Sequence, residues 1–152
     1  MSETAAPGGG RLFQYERAVN FGDCDPAGIV FYPNFYRWFD EAVHAALEAA
    51  GWGWHRTARD FGWRGVSVAD AQAHFVRPAL HGDRLTIETR IDGTENRRIV
   101  FRHRVLRGTA LICEGREIRF IAVPHPADPQ RIQATDVPED LRLALTTDPP
   151  AA

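Results

Sequence analysis

Three consecutive residues, Asp23-Cys24-Asp25, carry the first hint of chemistry in the chain. They lie in Phe21 to Gly28, which holds two Asp, two Gly and one Pro in eight residues and so reads as a loop. Pro26 biases Asp25 toward an extended backbone. A helix signal follows over Tyr32 to Ala50: Phe35, Phe39, Val43, Ala46, Leu47 and Ala50 recur at three and four, and Trp38 and Ala42 widen the stripe. Pro33 suits a first-turn position, and Gly51 stands where a helix-ending glycine would. The first N–H groups of that helix have no intrahelical acceptor and sit at the positive end of its dipole. Such an end can hold an oxyanion. A carboxylate beside it is the minimum equipment for acyl transfer, because it can attack a carbonyl or polarise a water. The competing explanation is a cap: Asp is common in such loops for its hydrogen bonding alone.

Other reactive side chains offer less. Cys24 has no His near it in sequence, and a small buried thiol is the expectation. Cys24 and Cys113 are too few for a disulfide framework and lack metal-ligand spacing, as do His44, His55, His74, His81 and His103. No metal and no separate cofactor are expected. Trp38, Trp52, Trp54 and Trp63 read as core or interface, with an acyl pocket a further use. The net charge of -2 argues against a general nucleic-acid binder. No apolar run is long enough to span a bilayer, and Met1 to Gly10 lacks the pattern of a signal peptide, so a cytoplasmic protein is expected.

The elements that must position the loop are mostly strands. Leu12 to Asn20 is a plausible first strand, and Trp52 to Trp63 a short helix or ordered loop. Gly65 to Val123 reads as strand throughout, with turns at Pro78–Asp83, Asp92–Asn96 and Gly108–Thr109. A change of parity after Val68 suggests a bulge, and another is expected at Gly115, between Leu111/Cys113 and Ile118/Phe120. From Pro124 the chain is expected to wrap the surface or fray, with a short helix over 138–145. Residues 1–10 read as a disordered leader, 11–145 as a single domain and 146–152 as a flexible tail. One apolar helix cannot cover both faces of such a sheet, so the sheet should curl around it and bury the rest against a second subunit.

The string from Phe21 to Asp40 resembles the signature of the 4-hydroxybenzoyl-CoA thioesterase family. Phe75 to Asp83, the strand Leu85 to Thr89 and the pair Arg97-Arg98 fit that family too, so the resemblance covers roughly residues 13–123. It implies an α+β hotdog fold, a five-stranded antiparallel sheet wrapped around one long helix. It further implies a homo-oligomer, a dimer of dimers, with active sites between subunits and an acyl-CoA as the substrate. The family's catalytic carboxylate falls on Asp25, and its oxyanion donor on the backbone N–H of Tyr32. Asp23 becomes an acceptor that shapes the loop. Gly28, Asp40, Arg97 and Arg98 fall among substrate and CoA contacts, the arginines because a planar guanidinium fork matches phosphate oxygens. Asp40 as a buried structural acceptor is the other reading. Where the family continues with a third basic residue, this chain has Ile99. The resemblance pulls the acyl group toward an aromatic one. A non-catalytic acyl-CoA-binding module and a hotdog hydratase or dehydratase are the alternatives; the latter would want a His beside Asp25.

Overall fold

The apolar stripe of the long helix sets the architecture. In the computed structural model, which describes residues 10–152, helix α1 runs Pro33–Ala49 with Tyr32 as its N-cap and Pro33 in the first turn. The leader expected over 1–10 thus lies, except for Gly10, outside the described residues. Phe35, Trp38, Phe39, Ala42, Val43, Ala46 and Leu47 are all buried. The helix stops on Gly51 at φ +82°, where the Gly51 N–H donates to Glu48 O (3.0 Å) and the Trp52 N–H to Leu47 O (2.8 Å). That pair of bonds is a Schellman closure, and its left-handed residue favours glycine.

The strands are β1 (Phe13–Ala18), β2 (Gly65–Phe75), β3 (Arg84–Glu95), β4 (Arg98–Arg107), β5 (Ala110–His125) and β6 (Asp128–Thr135). They pair antiparallel in the order β1-β3-β4-β5-β2, with β6 added to β5. Helix α2 (Trp54–Phe61) links α1 to β2, and α3 (Glu139–Thr146) buries Leu141 and Leu145 against the core. Two apolar clusters result, one at each end of α1: Val43, Leu47, Trp52, Ile99 and Phe101 in the first, Val30, Phe35, Trp38, Leu85 and Ile112 in the second. No described helix is long and apolar enough to cross a membrane.

Three local expectations need correction. The end after Pro124 does not fray; it adds a sixth strand to the five expected. β4 pairs with β5 only as far as Arg119, and β6 takes up the bonds of β5 from Ile121 to His125. Those backbone groups would otherwise lack partners. The turn expected at 92–96 is tighter and later. A bulge between Ile91 and Gly93 lets β3 continue to Glu95, and Asn96 and Arg97 make the turn with φ of 50° and 64°. Two positive φ values are what a two-residue hairpin with right-twisted strands demands.

The third correction bears on the site. Gly115 is not a bulge; it pairs in register with Ala73 and His103. The slip in this strand lies earlier, at Ile112, where Val105 pairs with Cys113 and Leu106 with Leu111; from Cys113 the strand alternates, and the buried side carries Cys113, Gly115, Glu117, Arg119 and Ile121. Ile118 and Phe120 face the other way, half-buried. The bulge after Val68, by contrast, is where the parity change placed it.

Candidate active site

The loop before α1 is a closed unit. Cys24 and Val30 form a bridge, the Asp25 N–H donates to Ile29 O (2.9 Å), and the Gly28 N–H donates to Asp25 O (2.9 Å). Asp25-Pro26-Ala27-Gly28 places Asp first, Pro second and Gly last in the turn, each where turn chemistry favours it. Gly28 has φ +81°, a left-handed backbone that side chains resist. Val30 then donates to Ala79 O (2.9 Å) and Phe31 to Asp23 O (2.9 Å), which pins the loop to the segment before β3. Asp25 and the start of α1 therefore occupy one end of the helix.

The two aspartates differ in their partners. Asp23 is buried; its carboxylate accepts from the Asn20 N–H (2.8 Å) and from Arg37 Nη2 (3.0 Å), with Arg17 Nη2 at 3.7 Å. Its carbonyl accepts from Asn34 Nδ2 (2.8 Å) as well as from Phe31. Asp23 is thus the shaping acceptor of the loop. Asp25 is only half-buried, and its Oδ1 accepts from the Ala27 N–H (2.8 Å). Among the described residues no side chain hydrogen-bonds to that carboxylate, and none of the histidines forms an ion pair with it. Cys24 is half-buried rather than buried, its Sγ 3.8 Å from Asn20 O. Burial pushes the other thiol, Cys113, up to about 12, which leaves it inert.

At the helix start, the Asn34 N–H donates to Phe31 O (2.9 Å) and the Phe35 N–H to Tyr32 O (3.1 Å). Pro33 has no N–H. The Tyr32 N–H donates to no backbone carbonyl among the described residues. A free N–H at the positive end of a helix, beside a lightly held carboxylate, is an arrangement suited to a developing oxyanion.

Asp40 lies two turns along α1, and its side chain is half exposed, not a buried acceptor. Its Oδ1 accepts from Arg119 Nη1 (2.8 Å), with His44 Nε2 at 3.6 Å. Arg119 is fully buried on β5; the same Nη1 donates to Val66 O (3.1 Å) on β2, and Nη2 donates to Glu117 Oε1 (2.9 Å). Glu117 Oε2 is 2.8 Å from His103 Nε2, and His103 Nδ1 is 2.8 Å from Thr89 Oγ1. Burial pushes His103 below its ordinary value despite Glu117, so the imidazole is neutral. A carboxylate only accepts, which puts the proton on Nε2 and lets Nδ1 accept from the Thr89 hydroxyl. Burial also raises Glu117, but the hydrogen bonds from His103 and Arg119 and the charge of Arg119 together outweigh it and hold the carboxyl below its usual range. Sequence reasoning missed Glu117, Arg119 and the His103 contact. The available signal was that residues 117 and 119 share the parity of Cys113.

Arg97 and Arg98 are not brought to Asp25 within one chain. The Asp25 loop adjoins the start of β3, whereas the arginines lie at its far end, Arg97 in the turn and Arg98 opening β4, roughly 35 Å of strand away. Arg97 Nε donates to Asp136 Oδ1 (2.8 Å), and both side chains are largely exposed.

The surface around the loop is apolar. Phe21, Phe31 and Tyr32 are 79%, 50% and 60% exposed, and Tyr32, Phe35 and Phe75 meet edge to face. β2, eleven residues long, pairs on one side only. An open edge of that length beside exposed aromatics is a template for another strand. No group of three His, Cys, Asp or Glu among the described residues is placed to hold a metal.

The family model of the thioesterase-like superfamily matches residues 19–145. Over 136 residues the chain is 37% identical to the 4-hydroxybenzoyl-CoA thioesterase of Pseudomonas sp. (strain CBS-3), covering 86% of this chain and 94% of that protein. Its fold matches the crystal structure of a 4-hydroxybenzoyl-CoA thioesterase mutant complexed with 4-hydroxybenzoyl-CoA, with a TM-score of 0.83, 35% identity, and coverage of 89% of this chain and 99% of that one. A gentisyl-coenzyme A thioesterase structure matches at TM-score 0.71 and 32% identity, covering 87% and 98%. These are hotdog-fold enzymes, and the curled antiparallel sheet around α1 is that fold.

Proposed function

The chain belongs to the thioesterase-like superfamily and is a thioester hydrolase, and from that premise we propose that it hydrolyses an aryl-CoA, such as hydroxybenzoyl-CoA or benzoyl-CoA, to the free acid and CoA. The observation that carries this reading is the pairing of a lightly held Asp25 with an unengaged Tyr32 N–H at the same helix end. The thioester carbonyl would rest against that N–H. Asp25 would take a proton from a water that attacks the carbonyl carbon, the C–S bond would break, and CoA would leave as the thiol carrying that proton; or Asp25 would attack the carbon itself and expel CoA as the thiolate, and water would then hydrolyse the resulting Asp25 anhydride to the free acid. Gly28 keeps the turn tight enough to hold Asp25 there.

Asp40 and the phosphate-binding Arg97 and Arg98 complete the site across subunits in this reading. The half-exposed Asp40 carboxylate stands beside β2, and the open β2 edge suits pairing with a second copy in a dimer, and of dimers into a tetramer. A second copy would also cover the exposed aromatics and bring an arginine hairpin from a different chain. A cytoplasmic location fits a CoA thioester substrate.

Release of free thiol from benzoyl-, hydroxybenzoyl-, phenylacetyl- and aliphatic acyl-CoA tests the proposal. Turnover should be fastest with the aryl esters. Binding without thiol release from any of them would make the protein a binding module instead, and faster aliphatic turnover would overturn the substrate class.

A further inference from the structure

Helix α1 begins without a capping side chain. A capping Ser, Thr, Asn or Asp normally accepts from the second or third helical N–H. Here Tyr32 holds the N-cap position, and its side chain makes no such bond. The Asn of this turn stands two residues later and works in the opposite sense: Asn34 Nδ2 donates to Asp23 O (2.8 Å). A carbonyl only accepts, so the amide must face it with its nitrogen. The backbone N–H of the same residue donates to Phe31 O (2.9 Å). A trans peptide is planar, and its N–H points opposite to its C=O. Holding Phe31 O toward the helix therefore turns the Tyr32 N–H back past the helix end. Asp23 O, the other acceptor of Asn34, also takes the Phe31 N–H (2.9 Å) and lies two residues before Asp25. Asn34 thus bonds on one side to the peptide that carries the free N–H, and on the other to the chain that carries the carboxylate.

We infer that Asn34 is a positioning residue for the hydrolysis, its side-chain amide setting the spacing between the Asp25 carboxylate and the Tyr32 N–H. The inference rests on the proposed thioesterase reading. Arg37, one turn further along α1, marks the difference between positioning and bracing. Its Nη2 donates to Asp23 Oδ1 (3.0 Å), and its side chain is half exposed. It holds the carboxylate of Asp23 and bonds to neither Asp23 O nor Phe31 O. Substitution at Asn34 keeps the backbone bond to Phe31 O and gives up only the tie to Asp23 O. A carbonyl that must meet an N–H and a carboxylate together is sensitive to their separation, and a shift of about 1 Å can cost about 10²-fold in rate. Interactions needed in the transition state but not for binding act on kcat and spare KM.

The test is steady-state thiol release from benzoyl-CoA and 4-hydroxybenzoyl-CoA by wild type, Asn34→Ala, Asn34→Asp and Arg37→Ala, with urea midpoints taken alongside. Asn34→Ala deletes the donor, and Asn34→Asp keeps the shape but sets a second acceptor against Asp23 O. Each should lower kcat by about tenfold to a hundredfold and leave KM within about threefold of wild type. Arg37→Ala gives up the ion pair to Asp23 and should keep kcat within about threefold of wild type, whatever its midpoint. Asn34 variants that fold and keep kcat within about threefold of wild type would overturn the positioning role while the thioesterase reading stands. An equal fall in kcat for Arg37→Ala would overturn it too, because Asn34 would then be one brace among several. Should Asn34→Ala fail to fold, Asn34→Asp decides by the same limits. Absence of turnover by wild type on both esters would overturn the thioesterase reading itself and this inference with it.

Discussion

Gly115 lies directly against Phe39: a Cβ at position 115 would stand 2.5 Å from Cε2 and Cζ of that ring. No real Cβ sits that close to a neighbour, and Phe39 is itself fully buried and stacked on His103, so the ring has nowhere to retreat. Glycine at 115 is what lets α1 settle onto β5. Gly115→Ala should destabilise the protein by about 1–3 kcal/mol, the usual range for overpacking a core. Urea unfolding reads the change, and an unaltered midpoint would mean that the helix and sheet are less tightly seated than described.

The two aspartates of the loop should separate stability from activity. Asp23→Ala leaves the Asn20 N–H unbonded and Arg37 and Arg17 without their shared anion. A loss of about 1–3 kcal/mol is expected for orphaning groups at a buried acceptor. Asp25→Asn retains an oxygen for the Ala27 N–H and should stay within about 0.5 kcal/mol of wild type. Equal destabilisation by the two substitutions would contradict the assignment of Asp23 as the shaping residue.

Acid should weaken the fold through the buried network. His103 is depressed by burial, so below its ordinary 6.5 the unfolded chain takes up a proton that the folded chain declines. Glu117 is depressed by its two partners, so below its ordinary 4.5 the unfolded carboxylate protonates first. In both cases the unfolded state binds more protons, and stability present above those values is lost as pH falls. Each proton contributes a slope of up to about 1.4 kcal/mol per pH unit. Unfolding free energy against pH in wild type and Glu117→Gln should show a shallower limb below pH 4.5 in the variant. Parallel limbs would show that Glu117 does not titrate as its contacts require.

What could be read in the sequence was local. Pro33, the stripe from Phe35 to Ala50 and Gly51 mark α1 because helix periodicity and capping depend on neighbours in the chain. The loop at Asp25 was legible for the same reason: its turn is made by its own Asp, Pro and Gly. Arg119 and Glu117 were not legible, because strand reading puts apolar residues inward and Ile118 and Phe120 offered an apolar face of the opposite parity. Their burial depends on Asp40 and His103, 79 and 14 residues distant, respectively. The strand Asp128–Thr135 was hidden likewise. Its side chains are mostly exposed, and it forms because β5 outlasts β4. In the proposed reading Arg97 and Arg98 would reach the site from a second copy, which local sequence does not describe.

The central claim is that Asp25 acts on the thioester held at the start of α1. Steady-state thiol release from 4-hydroxybenzoyl-CoA by wild type and Asp25→Asn tests it most directly. KM should stay within a few-fold of wild type and kcat should fall by about 10²–10⁴, the range for losing a positioned general base. A variant that folds, binds the ester and turns it over at the wild-type rate would contradict it.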